Sequence, residues 1–450
     1  MTNRSTKRSR RPSSIIAFIV AAGFVIVPTW LAIRDHRQPR RTSTAPSVQS
    51  TVGSVGTADT SDTGVVDTGV VDTAITDVAT PVTADSVTAD SGTVTSPSTD
   101  ASVEDGQGVA TGTLIHRLEG HSAEISTMAF SPDGTQLVTA GQDNLVIVWD
   151  VASGKPLGQL VGPDETVYAV DYSPDGSRIA TAGADSTMLL WDAATGDLLH
   201  TFSGHSEVVY TVAFSPDGNT VLTASQDGTA RLWDIPTLAE SSTLVGSTEG
   251  VYFAAFSPDG ERVIAGGQDD IVRVWNVAAP DDPLAFSGHI ADVKKGLFSP
   301  DQTLVMSGSD DGTTKVWDSE SGELIYDIAV GEAVQTVSFS HDGTRAVMGD
   351  SAGTVKLWDL ATNRSLGDLS GHTGSVWTAE FSPKDRAVLT ASLDGTARIF
   401  GVVGRPGDPQ FGAQVAELSS GPALNGAIFS PDGSVVAIAD QEGVVTIIGG

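Results

Sequence analysis

Residues 208–234 read VVYTVAF (208–214), SPDG (215–218), NTVLTAS (219–225), QDGT (226–229) and ARLWD (230–234). Three runs rich in apolar residues, five to seven long, are separated by turn-forming tetrapeptides. That is the pattern of short strands joined by hairpins. Pro216 presets a negative φ at the second turn position, Asp217 can bond its own backbone, and Gly218 supplies the positive φ that closes the reversal. Gln226-Asp227-Gly228 make the next reversal with the same chemistry. A fourth apolar stretch, residues 198–202, precedes the unit. Four strands of roughly five or six residues with short connections fill such a unit.

The phrase of an aromatic followed by Ser-Pro-Asp-Gly or a close variant returns eight times, with its aromatics at Phe130, Tyr172, Phe214, Phe256, Phe298, Phe339, Phe381 and Phe429. The spacing is 42 residues or one fewer, except for the last, which is 48. Self-similarity at this period means stacked units that share one core, and four-stranded units arranged radially fit where a helical solenoid does not.

Gly-His recurs at Gly120-His121, Gly204-His205, Gly288-His289 and Gly371-His372; Trp-Asp closes units at Trp149, Trp191, Trp233, Trp317 and Trp358, with Trp275-Asn276 as a variant. These motifs make residues 113–450 resemble WD repeats. The resemblance implies an all-β propeller. It also implies, in each full repeat, a buried hydrogen-bonded set: His121, Thr139, Asp143 and Trp149; His205, Thr223, Asp227 and Trp233; His289, Ser307, Asp311 and Trp317. The seventh unit keeps His372, Thr390 and Asp394 but has Phe400 in the tryptophan position. Even-numbered units carry Pro163, Ser247, Glu332 and Pro422 in place of the histidine, and Ala352 replaces the turn aspartate of the sixth. Full and degraded units therefore alternate.

The eighth unit has three inner strands and no outer one, while a spare strand, residues 114–118, precedes the first. An open sheet edge invites aggregation and closure removes it. The reading is thus eight blades closed by the N-terminal strand, with a seven-bladed ring plus an appended unit as the alternative.

Residues 1–14 form a basic stub, and residues 15–33 are nineteen consecutive uncharged positions, enough for a transmembrane helix. Residues 34–112 read as a disordered linker: no Lys or Arg occurs from 42 to 116, and Thr, Ser, Asp, Val, Ala and Gly dominate, too little apolar bulk to offset chain entropy. The expected organisation is a single-pass protein of the cell membrane with its propeller outside the cytoplasm. The absence of cysteine excludes disulfides and thiolate metal sites. The first 41 residues carry a net charge of +8, so the remainder carries −39 of the total −31. Charge of that sign repels phosphate backbones, so nucleic acid is not an expected partner, whereas cationic partners are favoured.

In the resembled family, partners dock on the ring face where the innermost strands begin. Four residues before each aromatic stand Ser126, Tyr168, Tyr210, Tyr252, Lys294, Gln335, Trp377 and Asn425, and before the turn aspartate stand Gln142, Gln226, Gln268 and Gln441. Tyrosines on three successive blades beside glutamines and Lys294 suit a peptide or sugar site; copying of one repeat to fill the channel mouth gives the same pattern. If the rings stand free, Tyr210→Ala with Tyr252→Ala leaves stability unchanged; if they are core, it does not. No Gly-x-Ser-x-Gly elbow, His-Glu-x-x-His, phosphate loop, kinase signature or calcium loop occurs. The expectation is a monomeric, non-catalytic platform for a protein or peptide without cofactor or metal, the alternative being a sensor for a carbohydrate or small molecule.

Overall fold

The computed structural model describes residues 112–419 and 421–449. Every regular element among them is a β-strand, arranged as eight antiparallel four-stranded sheets. Blades 1 to 8 take their innermost strands from Ile125–Phe130, Val167–Tyr172, Val209–Phe214, Val251–Phe256, Val293–Phe298, Val334–Phe339, Val376–Phe381 and Leu424–Phe429. The seven-bladed alternative is thereby excluded. The segment 15–33 and most of the linker lie outside the described residues, among which no helix is long and apolar enough to cross a membrane.

Each turn does what its sequence dictates. In blade 3 the Asp217 carboxylate accepts from the Ser215 hydroxyl (2.6 Å) and the Asn219 amide (3.0 Å), while the Ser215 hydroxyl accepts from the Thr220 amide (2.9 Å). Gly218 has φ 72°, a conformation that side chains resist. Blades 5 and 7 place Gln302 (φ 65°) and Asp385 (φ 56°) there instead. In both cases an arginine from the preceding blade secures the turn. Arg262 donates to the Gln302 carbonyl (2.8 Å) with its guanidinium over Phe298, and Arg345 donates to the Asp385 carbonyl (2.9 Å) with its guanidinium over Phe381.

The core lies between blades, so no sheet is stable alone. One cluster joins Val148 and Leu160 of blade 1 to Val170, Ile179 and Trp191 of blade 2, and the pattern continues around the ring. At the seam, the strand Thr113–Glu119 pairs with Val444–Gly449 as the outer strand of blade 8. Leu118, from this strand, packs with Ile125, Trp149 and Ile447. Asn425 donates to Glu124 (2.6 Å) and to the Ile125 carbonyl (3.0 Å) across the same seam. The ring is closed by an element remote in sequence from the sheet it completes.

In the odd blades the four-residue sets assemble. His121 Nδ1 lies 3.0 Å from Asp143, its Nε2 2.8 Å from Thr139 Oγ1, and Trp149 Nε1 donates to the same hydroxyl at 2.8 Å. His205, Thr223, Asp227 and Trp233 repeat this at 2.7–2.9 Å, as do His289, Ser307, Asp311 and Trp317 at 2.8–3.1 Å. His372 reaches Asp394 (3.0 Å) and Thr390 (2.7 Å), with the buried Phe400 filling the indole position. The chain of donors fits a neutral imidazole that donates from Nδ1 and accepts at Nε2.

Even blades solve the same problem differently. Trp191 still donates to Thr181 (3.0 Å) in blade 2. Arg273 pairs with Asp269 (2.7 Å) in blade 4. In blades 6 and 8 the turn carboxylate has moved two residues upstream: Asp350 accepts from the amides of Glu332, Ala352 and Thr354, and Asp440 from those of Glu442 and Val444.

Candidate functional site

The inner strand of every blade contains one extra residue relative to its partner strand. In blade 3, Val209 pairs with Ser225 and Thr211 with Ala224, so Tyr210 is the unpaired residue of a β-bulge. The same shift isolates Ser126, Tyr168, Tyr252, Lys294, Gln335, Trp377 and Asn425 in the other blades. A bulge re-aims a side chain. Here it gathers the eight residues singled out by spacing at the rim where the inner strands begin.

Four of these, Tyr168, Tyr210, Tyr252 and Lys294, form one continuous assembly with Gln226 and Gln268. The rings of Tyr168 and Tyr210 stand 6.0 Å apart, those of Tyr210 and Tyr252 5.8 Å, and the Lys294 ammonium sits 4.9 Å above the Tyr252 ring. The Tyr210 hydroxyl donates to Gln226 (3.2 Å), Gln226 to Gln268 (3.1 Å), Gln268 to the Tyr252 hydroxyl (2.6 Å), and that hydroxyl to Asp292 (3.2 Å). Lys294 is held by Asp310 at 2.9 Å and Asp292 at 3.5 Å. Gln142 belongs to a separate group at the seam, where it donates to Glu124 (2.8 Å) and Gln441 donates to Asn425 (3.2 Å). Trp377 is half-buried on blade 7, remote in ring order from the tyrosines, and its indole N–H has no partner among the described residues.

The rings do not stand free. Tyr168, Tyr210 and Tyr252 are 5%, 1% and 2% exposed, so the expectation of aromatic faces open to a partner is corrected. Each bulge turns its ring onto its neighbour's, where burial is worth more than exposure, and only the hydroxyl and amide edges reach the rim. Burial pushes the hydroxyls of Tyr210 and Tyr252 up, so they remain donors. Above them the rim is acidic. Glu165, Glu207, Glu249 and Glu332 are exposed, with Glu124 and Asp292 half-buried, one carboxylate for each of blades 1 to 6. What the face offers is a polar, negatively charged crescent on a rigid aromatic footing.

Residues not nominated from sequence line the bore. Both faces of every sheet pack on neighbours, so the half-buried mid-strand residues Lys295, Leu297, Ser338 and Glu380 open only toward the axis. Asp171 and Glu380 occupy equivalent positions, and each accepts the edge amide of the following blade, Phe214 at 2.8 Å and Phe429 at 2.9 Å. Burial pushes both carboxyls up to about 7 from ordinary values of 3.8 and 4.5, despite those amide bonds. Burial likewise pushes the Lys295 ammonium down, partly offset by attraction to Glu380. A folded value above the unfolded one stabilises most in acid, and the stabilisation is lost as pH rises through 7. Asp171→Asn and Glu380→Gln retain an acceptor oxygen, so the advantage of each over the native chain in melting temperature should be absent at pH 4 and complete above pH 7. A constant difference across that range would contradict the assignment.

Comparison with known proteins agrees with this architecture. Residues 125–401 match the family model described as the IFT122 first beta-propeller. Among solved structures, the crystal structure of the computationally designed Ika8 protein is similar, with a TM-score of 0.66 and 26% identity over 75% of this chain and 100% of that one. No curated protein matches the chain.

Proposed function

The chain belongs to the family of the IFT122 first beta-propeller, and on that footing we propose that it is a non-catalytic, membrane-anchored platform whose acidic rim captures a protein or peptide with a cationic surface. The observation that carries this reading is the bulge in all eight inner strands, which collects eight side chains of six residue types on one face, beside the carboxylates of blades 1 to 6. Rigid scaffolds commonly vary such positions for recognition while their cores pack. The crescent of carboxylates sets the sign of the partner, because complementary charge steers encounter and excludes wrong partners.

The point where the chain enters the ring accords with this reading. Thr113 pairs with Gly449, which pairs with Val435 beside the Ser-Pro-Asp-Gly turn, so the chain enters the ring at the end opposite the tyrosine rim. Entry at that end leaves the tyrosine rim clear of the point where the chain joins the ring. The test is co-purification of the full chain from solubilised membranes, native against Glu165→Gln, Glu207→Gln and Glu249→Gln combined. The native chain should retain a defined protein, and the variant should lose at least tenfold of it at an unchanged melting temperature. Equal capture would refute the rim as the site.

A further inference from the structure

Lys294 and Lys295 are neighbours on the inner strand of blade 5, and their surroundings differ. Lys294 turns to the rim, where Asp310 (2.9 Å) and Asp292 (3.5 Å) hold it. Lys295 faces the axis, half-buried, and makes no hydrogen bond or ion pair among the described residues; only Glu380, two blades on, attracts it. The two are not in contact. Glu380 accepts from the Phe429 amide (2.9 Å), and the other cation near it, His341, is held by Asp385 (2.9 Å). Between Lys295 and Glu380 in ring order stands Thr336 of blade 6, at the same register position as Lys295. It is 1% exposed, and its hydroxyl has no partner among the described residues. The equivalent hydroxyls of blades 3 and 7 are engaged: Thr211 donates to the Tyr252 carbonyl (3.2 Å), and Thr378 accepts from the Ala427 amide (3.3 Å). A buried charge or hydroxyl without a partner costs free energy that a bound polar group would restore.

We propose that this sector of the bore binds a free α-amino acid, with its carboxylate on the Lys295 ammonium and the Thr336 hydroxyl and its ammonium on the Glu380 carboxylate. Opposite charges held apart, with a spare donor between them, match the two ends of a zwitterion. A simple anion would satisfy Lys295 but would bring negative charge up to Glu380, and it would have to enter against the field of a strongly acidic chain. A zwitterion carries no net charge through that field. Leu297 lies two residues along the strand from Lys295, on the same face and half-buried, and supplies an apolar wall for a short side chain. The blades of a propeller surround a central channel, so such a ligand reaches the site along the axis without displacing core residues. Bound there, it ties blades 5, 6 and 7 together, and none of the rim carboxylates takes part.

The test is calorimetric titration of the full chain in detergent with L-alanine, L-serine and L-leucine, alongside propionate and ethylamine, each of which keeps one charged end of alanine. At least one of the amino acids should bind, and both single-charge analogues should bind at least tenfold more weakly. Lys295→Met keeps the stem and Glu380→Gln keeps an acceptor oxygen; each should weaken amino-acid binding at least tenfold with no loss of melting temperature. Asp171→Asn, at the position equivalent to Glu380 on blade 2, should leave binding unchanged, as should the combined rim substitutions Glu165→Gln, Glu207→Gln and Glu249→Gln. No binding of any of the three amino acids at millimolar concentration overturns the proposal. Propionate binding as tightly as alanine also overturns it and makes the bore an anion site. An equal loss in Asp171→Asn overturns it as an effect of bore charge in general, and a loss in the rim variant overturns it by moving the site to the rim.

Discussion

A chain that begins at Gly120, lacking residues 113–119, is expected to melt more than about 10 °C below the full propeller or to aggregate on purification. The removed strand makes six backbone pairings with Val444–Gly449. Without it, blade 8 exposes a full edge at the one point where the ring must close. Leu118 is 1% exposed and touches both the first and the last blade; its truncation to alanine alone should cost about 2–5 kcal/mol. The loss differs from that of an ordinary strand because the neighbouring blades bury each other in a cycle, and opening the cycle weakens every interface next to the gap. A peptide spanning residues 112–120, added to the truncated chain, should restore part of the melting temperature. An unchanged melting temperature in the truncated chain would mean that closure rests on the inner strands alone.

Tyr210→Ala with Tyr252→Ala is expected to unfold the propeller at markedly lower denaturant, with each substitution costing about 3–5 kcal/mol. The two rings touch each other, and both touch buried neighbours, so their costs should not add. Tyr252→Phe separates packing from hydrogen bonding. It keeps the ring and the contact with Lys294 but removes the hydroxyl that links Gln268 to Asp292; a loss of about 0.5–1.5 kcal/mol is expected. Equilibrium unfolding of the two single alanine variants, their combination and Tyr252→Phe checks these values. Stability equal to the native chain in the double alanine variant would return the rings to the surface as free contact faces.

Much of this architecture is legible in the sequence because turn chemistry and strand period agree eight times over. Ser-Pro-Asp-Gly specifies a turn that has few other uses, and the Gly-His and Trp-Asp positions locate the buried networks residue by residue. The closing strand is legible for the same reason, as residues 114–118 have no partner in their own unit. Three features are hidden. Spacing identifies Tyr168, Tyr210 and Tyr252 as equivalent but not whether their rings face each other or solvent, since the bulge that decides this leaves no mark in the hydrophobic pattern. Asp350 and Asp440 substitute for a missing turn aspartate from two residues away, which motif matching scores as loss. The charges of the bore, Asp171, Lys295 and Glu380, sit in strands that read as core, and only the ring makes their side chains neighbours of the axis.

The claim that the acidic rim is where this propeller recognises its partner is tested most directly by the distribution of amide exchange on the full chain with and without the co-purified protein. The account predicts slowed exchange confined to the loops carrying Glu165, Glu207, Glu249 and Asp292 and to the starts of the inner strands that follow them. Slowing confined to the Ser-Pro-Asp-Gly turns, or to the outer strands with the rim unchanged, would contradict it.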